Sequence, residues 1–193
     1  MPAHSSNKAT TSIGKILLEE IAYDELEILE FREDIEDIPG LDFEDLIFVL
    51  ERATSIHTVI LTDDSLSCLH PTKRSNLIQT MARLPNLQWV TIANTPILIW
   101  DLTMLLMKAV CLRQLNLNDL VFQGIFSHFI AFETSLMQHS DLQEFALCDD
   151  CICAVEGIDL STIRQFNKTK PKGTESKPLP VDPAQNQPSA CVA

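Results

Sequence analysis

Residues 87–92 read Leu-Gln-Trp-Val-Thr-Ile, with aliphatic side chains at the first, fourth and sixth positions. The last two of these, Val90 and Ile92, are two residues apart, which is the period of a short strand that buries one face. Two apolar residues earlier in the chain, Leu77 and Met81, are four residues apart and share one face of a helix. The segment therefore predicts a helix that leads into a strand.

The same pattern recurs along the chain and indicates an internal repeat. Five triplets have the spacing L-x-x-L-x-L, and their first residues are 25 to 31 residues apart: Leu26, Leu29 and Phe31; Ile56, Val59 and Leu61; Leu87, Val90 and Ile92; Leu112, Leu115 and Leu117; Leu142, Phe145 and Leu147. Four triplets follow an apolar pair with helical spacing: Leu46 and Leu50, Leu77 and Met81, Leu102 and Leu106, Phe132 and Leu136. The sequence therefore predicts five strands, with helices over 42–53, 71–82, 100–110 and 125–138.

Strand-and-helix units of this length that open with L-x-x-L-x-L resemble leucine-rich repeats of the ribonuclease-inhibitor-like (RNI-like) type. The resemblance covers residues 26–147. It implies an α/β solenoid arc of about five strand–helix repeats, with a short parallel sheet on the concave face and helices on the convex face. It also implies a concave sheet that binds proteins. The family pattern continues with Asn or Cys three residues after each triplet, where this chain has Asp34, Asp64, Thr95, Leu120 and Asp150.

The repeat domain is expected over 26–166, with atypical segments at its ends. Residues 12–25 form the expected N-terminal capping segment, because Ser12 precedes apolar residues with helical spacing: Ile13, Ile16, Leu17 and Ile21. A targeting or partner-binding amphipathic helix is the alternative for this segment. Three apolar residues are expected to cover the other end: Ile158, Leu160 and Ile163. We expect disorder over 1–11, which are small and polar, and over 167–193, a tail that contains Pro and Lys but few large apolar residues.

If each triplet faces the helices, the third, fifth and seventh residues of each unit lie on the opposite face of the sheet. A repeat protein can leave such a face bare for a partner. We therefore predict a partner-binding surface that consists of Ile28, Glu30, Thr58, Ile60, Trp89, Thr91, Gln114, Asn116 and Asn118. Trp89, in the central strand, is the expected anchor, because tryptophan is enriched among residues that dominate binding energy. The alternatives are that a flanking segment covers this ring or that the ring is simply exposed.

The charge of the chain limits its partners. The 193 residues include 27 acidic and 14 basic side chains, a formal net charge of −13, which argues against nucleic-acid binding. Most of the acidic residues lie within 1–64, so the partner is expected to carry a basic patch. The sequence contains no apolar run that suits a membrane span or a signal peptide. This pattern predicts an intracellular protein, cytoplasmic or nuclear, that does not bind membranes and is a monomer on its own.

The cysteine residues support the main alternative hypothesis about function. Cys148, Cys151 and Cys153 form C-x-x-C-x-C over 148–153, a spacing that can bind a metal or act as a redox dithiol. No second cysteine or histidine pair with the usual ligand spacing follows, so reduced thiols are the simpler interpretation. A third hypothesis is a structural subunit whose sheet is permanently covered. Common catalytic motifs are missing, so we predict a non-catalytic protein–protein interaction module with no catalytic residues, metal or cofactor.

Overall fold

The computed structural model describes residues 25–32, 43–62, 65–66 and 68–167, which form an α/β fold with parallel sheets. The strands are β1 (Ile28–Phe31), β2 (Thr58–Leu61), β3 (Trp89–Ala93), β4 (Pro96–Leu98), β5 (Gln114–Asn118), β6 (Val121–Gln123), β7 (Glu144–Leu147) and β8 (Ile152–Cys153). The helices are α1 (Phe43–Arg52), α2 (Pro71–Met81), α3 (Ile99–Lys108), α4 (Phe126–Gln138) and α5 (Ser161–Arg164). Almost all of the expected capping segment, and the two expected disordered ends apart from Asn167, lie outside the described residues.

Five strands form the main sheet in the order β1-β2-β3-β5-β7, and every neighbouring pair is parallel. The middle residues of the five predicted triplets lie opposite one another: Leu29, Val59, Val90, Leu115 and Phe145. The prediction that the triplets lie side by side is therefore confirmed. All five of these side chains are fully buried, so one face of the sheet is a continuous hydrophobic layer.

One backbone hydrogen-bond arrangement recurs at the start of successive strands. The carbonyl of Glu27 accepts the N–H groups of His57 and Thr58 at 3.0 and 3.3 Å. The carbonyls of His57, Gln88 and Arg113 each accept two N–H groups from the next strand segment at 2.8 to 2.9 Å. Each strand is therefore held in the same position relative to the strand before it.

The four long helices lie close to the predicted ranges. α2 begins at Pro71 and α4 ends at Gln138 as predicted, and every other helix end is within two residues of its expected position. Proline suits the first helical position because its missing N–H would have no partner there, and Nδ1 of His70 accepts the N–H of Thr72 at 3.3 Å. None of the helices in the described part of the chain is long and apolar enough to cross a bilayer.

The helices and the main sheet share one hydrophobic core. All eight residues of the predicted helical pairs are buried and belong to the same cluster as the strand triplets: Leu46, Leu50, Leu77, Met81, Leu102, Leu106, Phe132 and Leu136. Burial of one such side chain stabilises a fold by about 1.5–3 kcal/mol, so this layer is the main source of stability.

A second parallel sheet, in the order β4-β6-β8, follows the ends of the main strands and was not among the sequence predictions. Its strands have only two or three residues, too few to show a period. Asn94 and Asp119 connect the two sheets with φ angles of 52° and 49°. Asn and Asp tolerate this left-handed conformation better than most residues, which explains their presence at equivalent turns.

A buried polar group links α2 to α3 and β4. The Asp101 carboxylate accepts hydrogen bonds from Oγ of Ser75 at 2.7 Å and from Nε2 of Gln79 at 3.1 Å. The guanidinium of Arg74 donates to the carbonyl of Leu69 at 2.9 Å and to that of Pro96, and burial lowers the pKa of Arg74. These contacts fix one helix relative to the next.

The segment that contains α5 covers the end of the main sheet. Leu160 and Ile163 are buried in the core, and Ile158 packs against it half-buried, as expected for a cover. Asn167, which the sequence assigned to the tail, uses its side-chain amide to bind both the N–H and the carbonyl of Leu147 at 2.9 and 3.1 Å. The amide therefore pairs with the edge of β7 that β5 does not occupy, as a neighbouring strand would.

Arg164 strengthens this closure. Its guanidinium donates to the carbonyls of Asp149 and Cys151 at 2.9 Å each and to that of Cys148 at 3.4 Å. A side chain with several donors in a fixed fork can satisfy the carbonyls of such a turn together. The turn after β7 is therefore tied to α5.

Candidate functional site

The face of the main sheet opposite the core is called the open face. It consists of two rows in register: Ile28, Thr58, Trp89, Gln114 and Glu144 in the first, and Glu30, Ile60, Thr91, Asn116 and Ala146 in the second. Eight of the nine predicted partner-binding residues lie in these rows, and the ninth, Asn118, ends β5. The structure therefore brings the predicted residues together on one surface.

Exposure varies across the open face. The Trp89 residue is 50% exposed and Ile28 is 38% exposed, whereas Glu30, Ile60, Thr91, Gln114, Asn116 and Asn118 are half-buried. Thr58 is only 5% exposed, so the expectation that it is accessible is wrong. Its short side chain lies between Ile28 and Trp89 in the register, and its hydroxyl is 2.8 Å from Nδ1 of His57. Larger neighbours shield it from solvent.

Trp89 contacts His57 through both its backbone and its ring. Its backbone N–H donates to the carbonyl of His57 at 2.9 Å. The His57 ring lies edge-on to the indole, with ring centroids 6.3 Å apart and an interplanar angle of 81°. Aromatic pairs prefer this arrangement. The indole is therefore supported from one side and presents apolar area to solvent.

The charges of the open face lie toward its two sides. On the β1 side, Glu30 forms an ion pair with Arg32 at 2.7 Å, whereas the Glu27 side chain is 66% exposed and 3.8 Å from Nε2 of His57. Glu144 lies on the β7 side. The centre of the surface is neutral and combines an aromatic ring with hydroxyl and amide groups. Such a centre suits apolar and hydrogen-bonding contacts, and its β1 side suits a cation.

No family model, curated protein or solved structure matches this chain.

A second surface with apolar side chains lies on the helices and was not predicted. Exposed large apolar residues on or beside α3 and α4 are Trp100, Met107, Val110, Ile125, Phe126, Ile130 and Met137. An open groove of about 280 Å³ lies between the ends of these helices, lined by Leu106, Met107, Val110, Ser135, Gln138, His139 and Ser140. The helical spacing of Phe126, Ile130 and Met137 is the sequence signal that could have revealed this surface.

The structure brings the three cysteines of residues 148–153 only partly together. The Sγ atoms of Cys148 and Cys151 are 3.4 Å apart, whereas Sγ of Cys153 accepts the N–H of Val155 at 3.4 Å. Ligand atoms of Asp119, Cys148 and Asp150 all lie within 4.8 Å of one another, and both aspartates are exposed. This group could offer three ligands to a divalent cation, and it includes only Cys148 of the three cysteines, so it differs from the ligand set that the C-x-x-C-x-C spacing suggests.

The Cys148 and Cys151 thiols also take part in the turn after β5. Sγ of Cys148 accepts the N–H of Asp119 at 3.0 Å, and Sγ of Cys151 accepts the N–H of Leu120 at 3.4 Å. The Cys151 thiol donates to the carbonyl of Leu117 at 3.5 Å. Burial raises the pKa of Cys151 to about 12, so this group is a neutral thiol at physiological pH.

Proposed function

We propose that this chain is a non-catalytic protein–protein interaction module that binds a partner protein through the open face. In this proposal the strand–helix units are leucine-rich repeats of the RNI-like type, stacked as a solenoid arc with the open face on its concave side. The regular register of the triplets and the recurring hydrogen bonds at the strand starts support this interpretation. The proposal assigns no catalytic residue and no cofactor.

The half-exposed Trp89 ring in the central strand is the observation that carries the proposal. Tryptophans that dominate binding energy cluster near the centre of an interface, with smaller polar contacts around them. Trp89 has Thr58 and Gln114 as its register neighbours. Because the His57 ring already contacts the indole, the indole loses less conformational entropy when a partner covers it.

The size of the open face limits the partner. Five strands at about 4.8 Å spacing give a surface about 24 Å wide, which suits a standard interface of about 800 Å² per partner. The partner therefore contributes a short segment or one edge of a domain. From the charges, we expect this segment to place an apolar side chain over Trp89 and a basic side chain near Glu27.

A peptide selection tests this proposal without knowledge of the natural partner. A random peptide library is selected on the full chain, and the affinities of the recovered peptides are measured by titration calorimetry. Trp89→Ala is compared with Trp100→Ala, a matched control because Trp100 is 41% exposed on α3. We expect Trp89→Ala to weaken binding about 30-fold or more, in line with a loss of about 2 kcal/mol, and Trp100→Ala to leave it unchanged.

Two results would contradict this proposal. Peptides that lose affinity with Trp100→Ala and keep it with Trp89→Ala would assign recognition to the helical surface. Sedimentation of the full chain as a stable oligomer that Trp89→Ala converts to a monomer would instead support the structural-subunit hypothesis, in which a second subunit covers the open face permanently.

A further inference from the structure

Cys148 and Cys151 lie on a tight turn that brings their sulfur atoms together. The N–H of Cys151 bonds to the carbonyl of Cys148 at 3.4 Å, and Asp149 and Asp150 form the two residues between them. The Sγ atoms are 3.4 Å apart, against about 2.0 Å in a disulfide. A movement of less than about 1.5 Å would therefore join the two sulfurs. The turn is also anchored by Arg164, so the thiols start from a defined position.

The two thiols differ in their access to solvent. Cys148 is half-buried at the end of the main sheet, whereas Cys151 is 2% exposed. Sγ of Cys148 accepts the N–H of Asp119 at 3.0 Å, and the Asp119 and Asp150 carboxylates lie nearby. Cys148 is therefore the sulfur that a reagent reaches first, and Cys151 is the thiol behind it that can complete the reaction.

We propose that Cys148 and Cys151 are a reversible modification site that forms an intramolecular disulfide with low-molecular-weight disulfides as oxidant. The Cys148 thiolate attacks one sulfur of the reagent, which forms a mixed disulfide and releases one thiol of the reagent. The Cys151 thiol then attacks the Cys148 sulfur and passes its proton to the departing reagent sulfur, which leaves as the second thiol. Two protein thiols are oxidised, and one reagent disulfide is reduced to two thiols.

Disulfide formation changes the turn after β5. The reduced Cys151 thiol donates its hydrogen to the carbonyl of Leu117, and the disulfide has no hydrogen to donate. The N–H groups of Asp119 and Leu120 both bond to these sulfurs, so both contacts must adjust when the sulfurs approach each other. The modification therefore acts on the connection between the main sheet and the second sheet. This inference stands on the sulfur geometry and does not depend on the proposed recognition function.

The test uses the full chain equilibrated with mixtures of reduced and oxidised glutathione, followed by acid quenching, alkylation, trypsin digestion and mass spectrometry. One tryptic peptide, 114–164, carries Cys148, Cys151 and Cys153, because no Lys or Arg occurs between its ends. We expect the oxidised peptide to lose two hydrogen atoms in mass and to take one alkyl label in place of three. A dithiol reductant should restore all three labels.

Two variants show which cysteines form the disulfide. Cys153→Ser is the matched control and should still lose two hydrogen atoms and take no label when oxidised. Cys148→Ser should take labels on both remaining cysteines, and its circular dichroism should match that of the wild type. The proposal is overturned if wild type keeps three labels at every glutathione ratio, if glutathione stays attached to Cys148, or if Cys153→Ser prevents the mass loss. Protection of the thiols by added zinc without a mass loss would instead identify a metal site.

Discussion

The two faces of the main sheet come from the same short strands and carry their aromatic residues differently. Phe145, on the core face of β7, is fully buried and lies edge-on to Phe132 with ring centroids 6.4 Å apart. Trp89, on the open face of β3, is half-exposed and is supported by one histidine ring. Aromatic content alone therefore does not identify core positions, because alternate residues of a strand lie on opposite faces of the sheet.

This difference separates stability from recognition. Side chains on the core face contact neighbours from strands and helices, so their removal leaves cavities. Side chains on the open face lie outside this hydrophobic core, so their removal changes the surface more than the fold. Paired substitutions on the two faces therefore test whether the open face is available for binding.

The largest effect is expected from Phe145→Ala. Loss of the ring leaves a cavity beside Phe132 and should lower the free energy of unfolding by about 3–5 kcal/mol, as measured by urea denaturation. Glu144→Ala, one residue earlier on the opposite face, is the control and should change stability by less than about 0.5 kcal/mol. Equal effects of the two substitutions would mean that the two faces are not packed differently.

A smaller loss is expected from Arg164→Ala. This substitution leaves the carbonyls of Asp149 and Cys151 without their donor and should cost about 2 kcal/mol, because hydrogen bonds from a charged group contribute about 1.5–3 kcal/mol. Arg83→Ala, on an exposed arginine after α2, is the control and should be nearly neutral. A loss as large as that of Phe145→Ala would show that the segment that contains α5 contributes as much to stability as the core face does.

The main sheet could be predicted from the sequence because the strand period and the helix period recur together along the chain. The alternation of Val90 and Ile92, the helical spacing of Leu77 and Met81, and the recurrence of both patterns place the strands, the helices and the register. Such features depend on residues near one another in the chain. The predicted open-face rows follow directly from them.

Other features could not be predicted because they depend on contacts between units. The burial of Thr58 results from larger residues on the neighbouring strands, and the second sheet has strands too short to show a period. The positions of Cys148 and Cys151 follow from a turn that Arg164 holds from α5. Sequence spacing suggested a thiol site there but could not show that Cys153 lies apart from it.

A still smaller effect on stability is expected from Trp89→Ala. Because half of the residue is already in solvent, its removal should lower the free energy of unfolding by less than about 1 kcal/mol, well below the loss from Phe145→Ala. The same urea experiment measures both variants. If Trp89→Ala costs several kcal/mol, the ring is covered by another part of the chain and belongs to the core, which contradicts the proposed anchor.

The smallest effect on stability is expected from Asp159→Asn, which changes an exposed carboxylate in the segment that contains α5. The N–H and hydroxyl of Ser161 bond to this carboxylate at 2.8 and 2.5 Å and lower its pKa. A lowered pKa in the folded state means that the stabilising contribution is present at neutral pH and is lost as the pH falls below about 4 through the folded-state pKa.

Asp159→Asn should remove this part of the pH dependence of stability. Urea midpoints of the variant and the wild type at neutral and acidic pH measure it. An unchanged acid-induced loss in the variant would assign that loss to other carboxylates. Because Asp159 is fully exposed, its effect should fall below that of Trp89→Ala.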